Sequence, residues 1–278
     1  MTNFLIIAIA IIAFIVAISI VAAIVVAIVL TTTQKSSPKS HHETRQAQRK
    51  VVQVQPKPTL NELRGSLGER FVENILGENV VGEKYVLNGY IYERNGRSTE
   101  IDHIVINTYG VFVIETKNRA GDIYGNDTDE EWIQKLGNGD TVHHFRNPVM
   151  QNAAHVSKIK SILGNEIPIH SLVVFVKNNT ENIYSDVVIP LADLGQTINS
   201  GIPKLSAGQI NTVYQSLQRQ RSTMTHEEHK RKIQQQNYNL KYNHICPICN
   251  SELTIEQDMC DKYYVCSNPK CKFTKKLD

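Results

Sequence analysis

The chain has 278 residues, 41% hydrophobic and 21% charged, with a formal net charge of +3. This ordinary globular balance excludes a wholly disordered chain and leaves enough apolar material for a core with small appendages. The average hides regional contrast: residues 31–58 carry a net +5, 59–200 a net −7, 201–240 a net +4 and 241–278 a net +1.

Residues 4–30 contain no charge, proline or glycine, and Ser19 is their only hydroxyl. As a helix they would extend about 40 Å, more than the ~30 Å hydrocarbon core requires. A cleaved signal peptide would need a basic start, a shorter apolar run and a small-residue cleavage site. The preceding Met-Thr-Asn lacks side-chain charge, so residues 1–30 read as a transmembrane anchor. Lys35, Lys39, Arg45, Arg49, Lys50 and Lys57 follow against Glu43 alone. Such flanks stay on the cytoplasmic side, giving the expectation of a single-pass cell-membrane protein with residues 31–278 facing the cytoplasm. Residues 31–58, rich in Ser, Thr, Gln and Pro, read as a flexible basic linker.

Residues 59–200 read as one domain. Leu60, Leu63, Leu67, Phe71, Val72 and Ile75 recur at helical spacing, with Gly65 and Gly68 permitting close packing. Glu69 lies between Leu67 and Phe71 around this helix. "EKYVLNGYIYE", "TEIDHIVIN", "GVFVIETKN" and "GDIYGN" read as strands. After "DTDEEWIQ" comes a second helix, "NPVMQNAAHVSKIKSILG", capped by Asn147 and with Val149, Ala153, Val156, Ile159 and Leu163 as its apolar line. "SLVVFVK" and "DVVIP" are strands of central type, and "SAGQINTVYQSLQRQ" is a third helix. This order implies an α/β fold, a mixed sheet flanked by helices.

Within "IDHIVINTYGVFVIETKN", a two-residue turn at Thr108-Tyr109 pairs Asn107 with Gly110, Ile106 with Val111, Ile104 with Val113 and Asp102 with Glu115. Directly opposed residues share a face with Cβ atoms ~4.5–5.5 Å apart, and like charges so placed are destabilising. An oxygen-seeking divalent cation would remove the repulsion and use both carboxylates as ligands. The alternative is neutralisation by Lys117, with Glu100 opposite it in this register.

Asp102 with Glu115-Thr116-Lys117 looks like the D…(D/E)-X-K signature of restriction-endonuclease-like nucleases. More closely, residues 60–175 resemble the nuclease-related domain family, NERD, through "GSLGERFVENIL", "IDHIVINTYGVFVIETKN", "GDIYGN", Trp132 and "NPVMQNAAHV". The resemblance implies that Asp102 and Glu115 hold Mg²⁺ or Mn²⁺, with the Thr116 carbonyl as a further oxygen. It implies that Lys117 orients water and offsets phosphate charge. Glu69 matches an auxiliary acidic position, and Gln151 a polar helix position that steers the nucleophile. His143 and His144 fall outside the matched motif and read as loop histidines.

Residues 201–240 read as a helical spacer, with Thr225 and Glu228 as a capping box. All five cysteines fall between 246 and 271. In a reducing cytoplasm such clustering points to metal, not disulfides. Cys246-x₂-Cys249 and Cys266-x₄-Cys271, separated by 16 residues, suit a tetrahedral zinc ribbon over 241–278, leaving Cys260 a spectator. "LTIEQ" and "YYVC" read as its hairpin. The pattern resembles the C-terminal zinc fingers of type I topoisomerases, with Asn250 where glycine is usual. Tyr263, Tyr264 and Phe273, interleaved with Lys270 and Lys272, suit base stacking and phosphate contact on single-stranded DNA.

The combined expectation is a membrane-anchored, metal-dependent nuclease whose ribbon helps to hold nucleic acid, DNA in the first instance. The alternative is a non-catalytic membrane-associated nucleic-acid-binding or scaffold protein.

Overall fold

The computed structural model describes residues 59–277. The anchor expected at 4–30 and the linker at 31–58 lie outside the described residues. Among the described residues no helix is long and apolar enough to cross a membrane.

Helix α1 (Leu60–Leu76) begins at a Thr59–Glu62 capping box. Strands β1 (Lys84–Arg94), β2 (Arg97–Asn107) and β3 (Gly110–Lys117) form an antiparallel meander. β4 (Asp122–Asn126), β5 (Glu131–Leu136) and β6 (Thr141–Arg146) follow, then helix α2 (Pro148–Leu163). β7 (Ile169–Phe175) and β9 (Val188–Pro190) join β3 in parallel, so the main sheet is mixed, in the order β1-β2-β3-β7-β9. β8 (Ile183–Tyr184) completes a second sheet, β6-β5-β4-β8. Helices α3 (Leu194–Ile198), α4 (Ala207–Gln220) and α5 (His226–Tyr238) precede a three-stranded ribbon of β10 (Leu253–Gln257), β11 (Lys262–Cys266) and β12 (Thr274–Lys276).

The near-continuous apolar runs of β2 and β3 let the main sheet bury both faces. Ile104, Ile106, Val111 and Val113 meet Ile159 of α2 and Ile210, Val213 and Leu217 of α4. Val105, Phe112 and Ile114 meet Val72 and Leu76 of α1 and Leu194 and Ile198 of α3. The expected helix-flanked mixed sheet is therefore present. Residues 201–240 do more than connect, since α4 supplies core side chains.

Three local expectations are corrected. On α1, Leu60, Leu63, Leu67, Phe71 and Ile75 are 42–63% exposed, while Val72, Leu76 and Gly68 face inward. The inward face was set by close approach: a Cβ on Gly68 would lie 2.7 Å from the Asn118 Cβ, whereas Gly65 has nothing within 4 Å. On α2, Ala153 is exposed and the polar Asn152 and His155 are buried beside Ile159. Asn152 Nδ2 donates to the Val113 and Leu172 carbonyls at 2.8 and 3.0 Å, tying α2 to β3 and β7. Finally, "DTDEEWIQ" leads into β5, and His143 and His144 sit on β6, not in a loop.

The remaining motif pieces have packing roles. Trp132 is fully buried, donates to the Asn126 carbonyl at 2.9 Å and leaves room only for glycine at Gly125. Asn147 caps α2 through the Val149 and Met150 N–H groups, while its amide donates to the Asp129 carbonyl at 2.7 Å.

Candidate active site and metal centre

The hairpin register holds from Asn107–Gly110 to His103–Ile114, and there the ladder stops. Gly89 of β1 has φ +53, a left-handed residue inside a strand. Around it the inward alternation changes phase, so that Ile101 and Ile104 join the same core cluster. Such a glycine bends a strand. Asp102 sits at that bend, and its Oδ2 accepts the Thr116 N–H at 2.7 Å. Asp102 and Glu115 thus meet beyond the last ladder pair, not as the directly opposed pair expected. Glu100 does not face Lys117 either: both its carboxylate oxygens lie 2.8 Å from His226 Nδ1 of α5.

Glu115 is 2% exposed. Lys117 Nζ donates to its Oε1 and, at 3.3 Å, to Gln151 Oε1. His155 Nε2 lies 3.4 Å from Glu115 Oε2, misaligned for a hydrogen bond, so both buried atoms lack a partner. On its other side the His155 ring meets Thr99 Oγ1 at 3.5 Å. Gln151 and His155 are four residues apart on α2 and so share a face.

Electrostatics separate the two carboxyls. Burial and then the charge of Glu115 push Asp102 well above its ordinary pKa, against the Thr116 N–H. Burial alone would raise Glu115 as well, but His155 and Lys117 outweigh it and hold the carboxyl below its ordinary value. Two interacting acids divided this way titrate as a pair and not as two independent groups. Glu69 is half-buried on the inward side of α1, its carboxyl raised by burial and then by the charge of Glu100. Gly68 allows this placement by letting α1 abut the end of β3.

The donor set fits a hard divalent cation: two neighbouring carboxylates, with Glu115 Oε2 buried and unpartnered. Asp102, Glu115, Lys117 and Gln151 are brought to one place, and Glu69 lies near enough for its charge to act on Asp102. His143 and His144 are exposed on β6. His155 and Thr99 were not singled out from sequence, although the spacing of His155 from Gln151 was a usable signal.

In the ribbon, the sulfurs of Cys246, Cys249, Cys266 and Cys271 all lie within 4.8 Å of one another. Cys246 and Cys271 approach to 3.6 Å, and Cys249 and Cys266 to 3.4 Å. Tetrahedral zinc with ~2.3 Å Zn–S bonds sets its sulfurs about 3.8 Å apart. The four cysteines therefore suit a metal such as zinc, while Cys260 is exposed. Asn250 takes φ 57, the left-handed conformation a knuckle needs. Tyr264 and Phe273 pack against the cysteine cluster, so two of the three expected stacking aromatics serve the ribbon's own core.

The ribbon is docked, not tethered. The β1–β2 turn has Asn95 at φ 52 and Gly96 at φ 75, and a Cβ on Gly96 would lie 2.8 Å from the Ile248 carbonyl oxygen. Gln236 of α5 donates to the Pro247 and Gly96 carbonyls at 2.9 and 3.3 Å. The Thr225–Glu228 capping box starts α5, and Lys230–Glu62 and Lys232–Glu93 pairs hold it to α1 and β1.

Comparison with known proteins places a nuclease-related domain, NERD, at residues 64–176. That span holds Glu69, Thr99, Asp102, Glu115, Lys117, Gln151 and His155. An uncharacterized protein of Bacillus anthracis is 37% identical over 113 residues, which are 40% of this chain and 52% of that protein. The chain thus spans about half the length of the curated relative it matches. No solved structure matches.

Proposed function

We propose that this protein is a membrane-anchored, divalent-metal-dependent nuclease that hydrolyses phosphodiester bonds, DNA first among its substrates. The observation that carries this reading is the buried Asp102–Glu115 pair, with Lys117 at the end of β3, inside a nuclease-related domain.

Asp102 and Glu115 would hold Mg²⁺ or Mn²⁺, with Thr116 contributing a further oxygen. When bound, such a cation polarises a phosphoryl oxygen and lowers the pKa of a coordinated water. Lys117 has three N–H donors. Glu115 and Gln151 engage it on two sides, which leaves donor capacity to orient a water or offset charge developing on the phosphate. His155 backs Glu115 and, through Thr99, fixes α2 against β2. Glu69 is an auxiliary acid beside the pair. Zinc on the four cysteines would fold the ribbon, whose Tyr263, Lys270 and Lys272 are offered to nucleic acid. The membrane attachment rests on residues 4–30 and the cytoplasmic orientation on the basic residues that follow.

The test is hydrolysis of single- and double-stranded DNA and of RNA by the full-length protein in detergent, with Mg²⁺, Mn²⁺ or no added metal. Metal-dependent cleavage, abolished in Glu115→Gln and Lys117→Ala, is expected. Cleavage by Lys117→Ala at the wild-type rate would leave the carboxylates as a charge-paired hairpin end and favour a non-catalytic binding protein.

A further inference from the structure

A second polar feature lies where the β1–β2 turn, helix α2 and the ribbon converge. A cavity of about 560 Å³ is lined by Arg94, Arg97, Lys158 and Lys272, with Tyr92 and Ile248, and by no carboxylate. Among the described residues, none of these four cations has a carboxylate oxygen within 4.0 Å. Arg94 and Arg97 are direct cross-strand partners at the end of the hairpin. Like charges so opposed destabilise a strand pair unless an anion lies between them. Three of these cations, Arg94, Arg97 and Lys158, belong to a region, residues 59–200, whose net charge is −7.

Its position relative to the carboxylates gives it direction. Arg97 and Thr99 lie on the same face of β2, two residues or about 7 Å apart, and Thr99 touches His155. On α2, Gln151, His155 and Lys158 form one stripe at i, i+4 and i+7. A continuous run of polar groups therefore leads from Lys117 through Gln151, His155 and Thr99 to Arg97 and Lys158.

We propose that this cleft grips the sugar–phosphate backbone of a nucleic-acid strand, flanking the phosphodiester addressed by Asp102 and Glu115; only the strand's destination rests on the nuclease reading. Guanidinium groups take phosphate oxygens in bidentate fashion. The ribbon contributes a wall, through Lys272 and Ile248, more than a stacking platform. The acidic domain thereby acquires a local anchor for a polyanion without a basic overall charge.

The test is fluorescence anisotropy of labelled single- and double-stranded oligonucleotides against salt, using the full-length protein in detergent without added divalent metal. Two lost phosphate contacts lower the log–log salt slope by about 1.4–1.8, equivalent to roughly 25- to 60-fold weaker binding near 0.1 M salt. That loss is expected for Arg97→Ala/Lys158→Ala, with zinc content and melting unchanged, while Arg97→Lys, which keeps the charge, should keep the wild-type salt slope. Should the double variant lose its melting transition, Arg94→Glu, at an exposed turn position, carries the same expectation. Wild-type affinity and slope in Arg97→Ala/Lys158→Ala or in Arg94→Glu would overturn the proposal, as would absence of binding by the wild-type protein. Parallel cleavage assays separate the two readings. A wild-type protein that binds through Arg97 and Lys158 but never cleaves upholds the cleft and sinks the nuclease. One that cleaves while the variants bind normally does the reverse.

Discussion

Replacing Lys117 with alanine should weaken the metal-free protein before any chemistry is measured. The Lys117 side chain is 18% exposed and that of its partner Glu115 only 3%. Without Lys117, a buried carboxylate keeps His155 nearby but loses its ammonium. Removing one member of a fully buried ion pair costs about 3–5 kcal/mol. Partial solvent access and the nearby imidazole place this case lower, at about 2–3 kcal/mol. For a folded body of this size that lowers Tm by roughly 5–10 °C. A divalent cation at about 100 times its Kd returns about 2.7 kcal/mol. Thermal and urea melts of wild type and Lys117→Ala, with and without Mg²⁺, measure both effects. The variant should melt early in metal-free buffer and recover with metal while remaining unable to cleave. A metal-free melt equal to wild type would refute the pairing argument. Two facing carboxylates, read from sequence alone, lead to the opposite sign for Glu115→Gln, a gain from relieved repulsion. The contacts in the structure argue for the other sign: Lys117 and His155 lie on Glu115 and hold its carboxyl below the ordinary value, so Glu115→Gln is expected to destabilise.

Gly68→Ala should cost about 1–3 kcal/mol, because its Cβ meets Asn118 at 2.7 Å; it should also reduce cleavage by moving Glu69, and unchanged melting together with wild-type activity would contradict the close approach. Cys246→Ser should lose zinc by metal analysis and unfold the ribbon, whereas Cys260→Ser should retain full zinc; zinc loss from the latter would show that Cys260 is a ligand. Glu100 raises the His226 pKa through its hydrogen bond, so that pair's stabilisation is present below about pH 6.5 and fades as pH rises through the raised value. Being largely exposed, it contributes under about 1 kcal/mol, and His226→Asn should remove that part of the pH slope in urea melts. A cysteine at Thr2 should be labelled from outside intact cells and one at Ser36 should not; the opposite pattern would overturn the cytoplasmic orientation.

The mixed sheet and much of the candidate site were legible because they depend on local rules. The two-residue turn at Thr108-Tyr109 set the hairpin register, and the Asn147–Pro148 and Thr225–Glu228 caps formed where side-chain chemistry places them. The cysteine spacing separated Cys260 from the other four. What escaped depends on tertiary contact. Helical periodicity on α1 marked an apolar stripe, but Gly68 against Asn118 decided which face turned inward. His155 looked like one helix residue among many until β2 brought Thr99 to it. The bend at Gly89 ended the ladder before Asp102, which no pairing rule foresees. The Asn95-Gly96 turn, by contrast, has the composition of a tight hairpin. Its role as a seat for the ribbon emerges only when Ile248 is placed against it.

If the cleft grips a strand as proposed, the seating of that turn would make a metal in the ribbon a control on that grip. Cys271 and Lys272 are consecutive, and Ile248 precedes Cys249, so two of the side chains lining the cleft are carried on knuckles that the metal would hold in shape. A thiol oxidant acting there would leave Asp102 and Glu115 untouched and still loosen the strand. Zinc depletion would then raise the substrate concentration needed for half-maximal rate more than it lowers the rate at saturation.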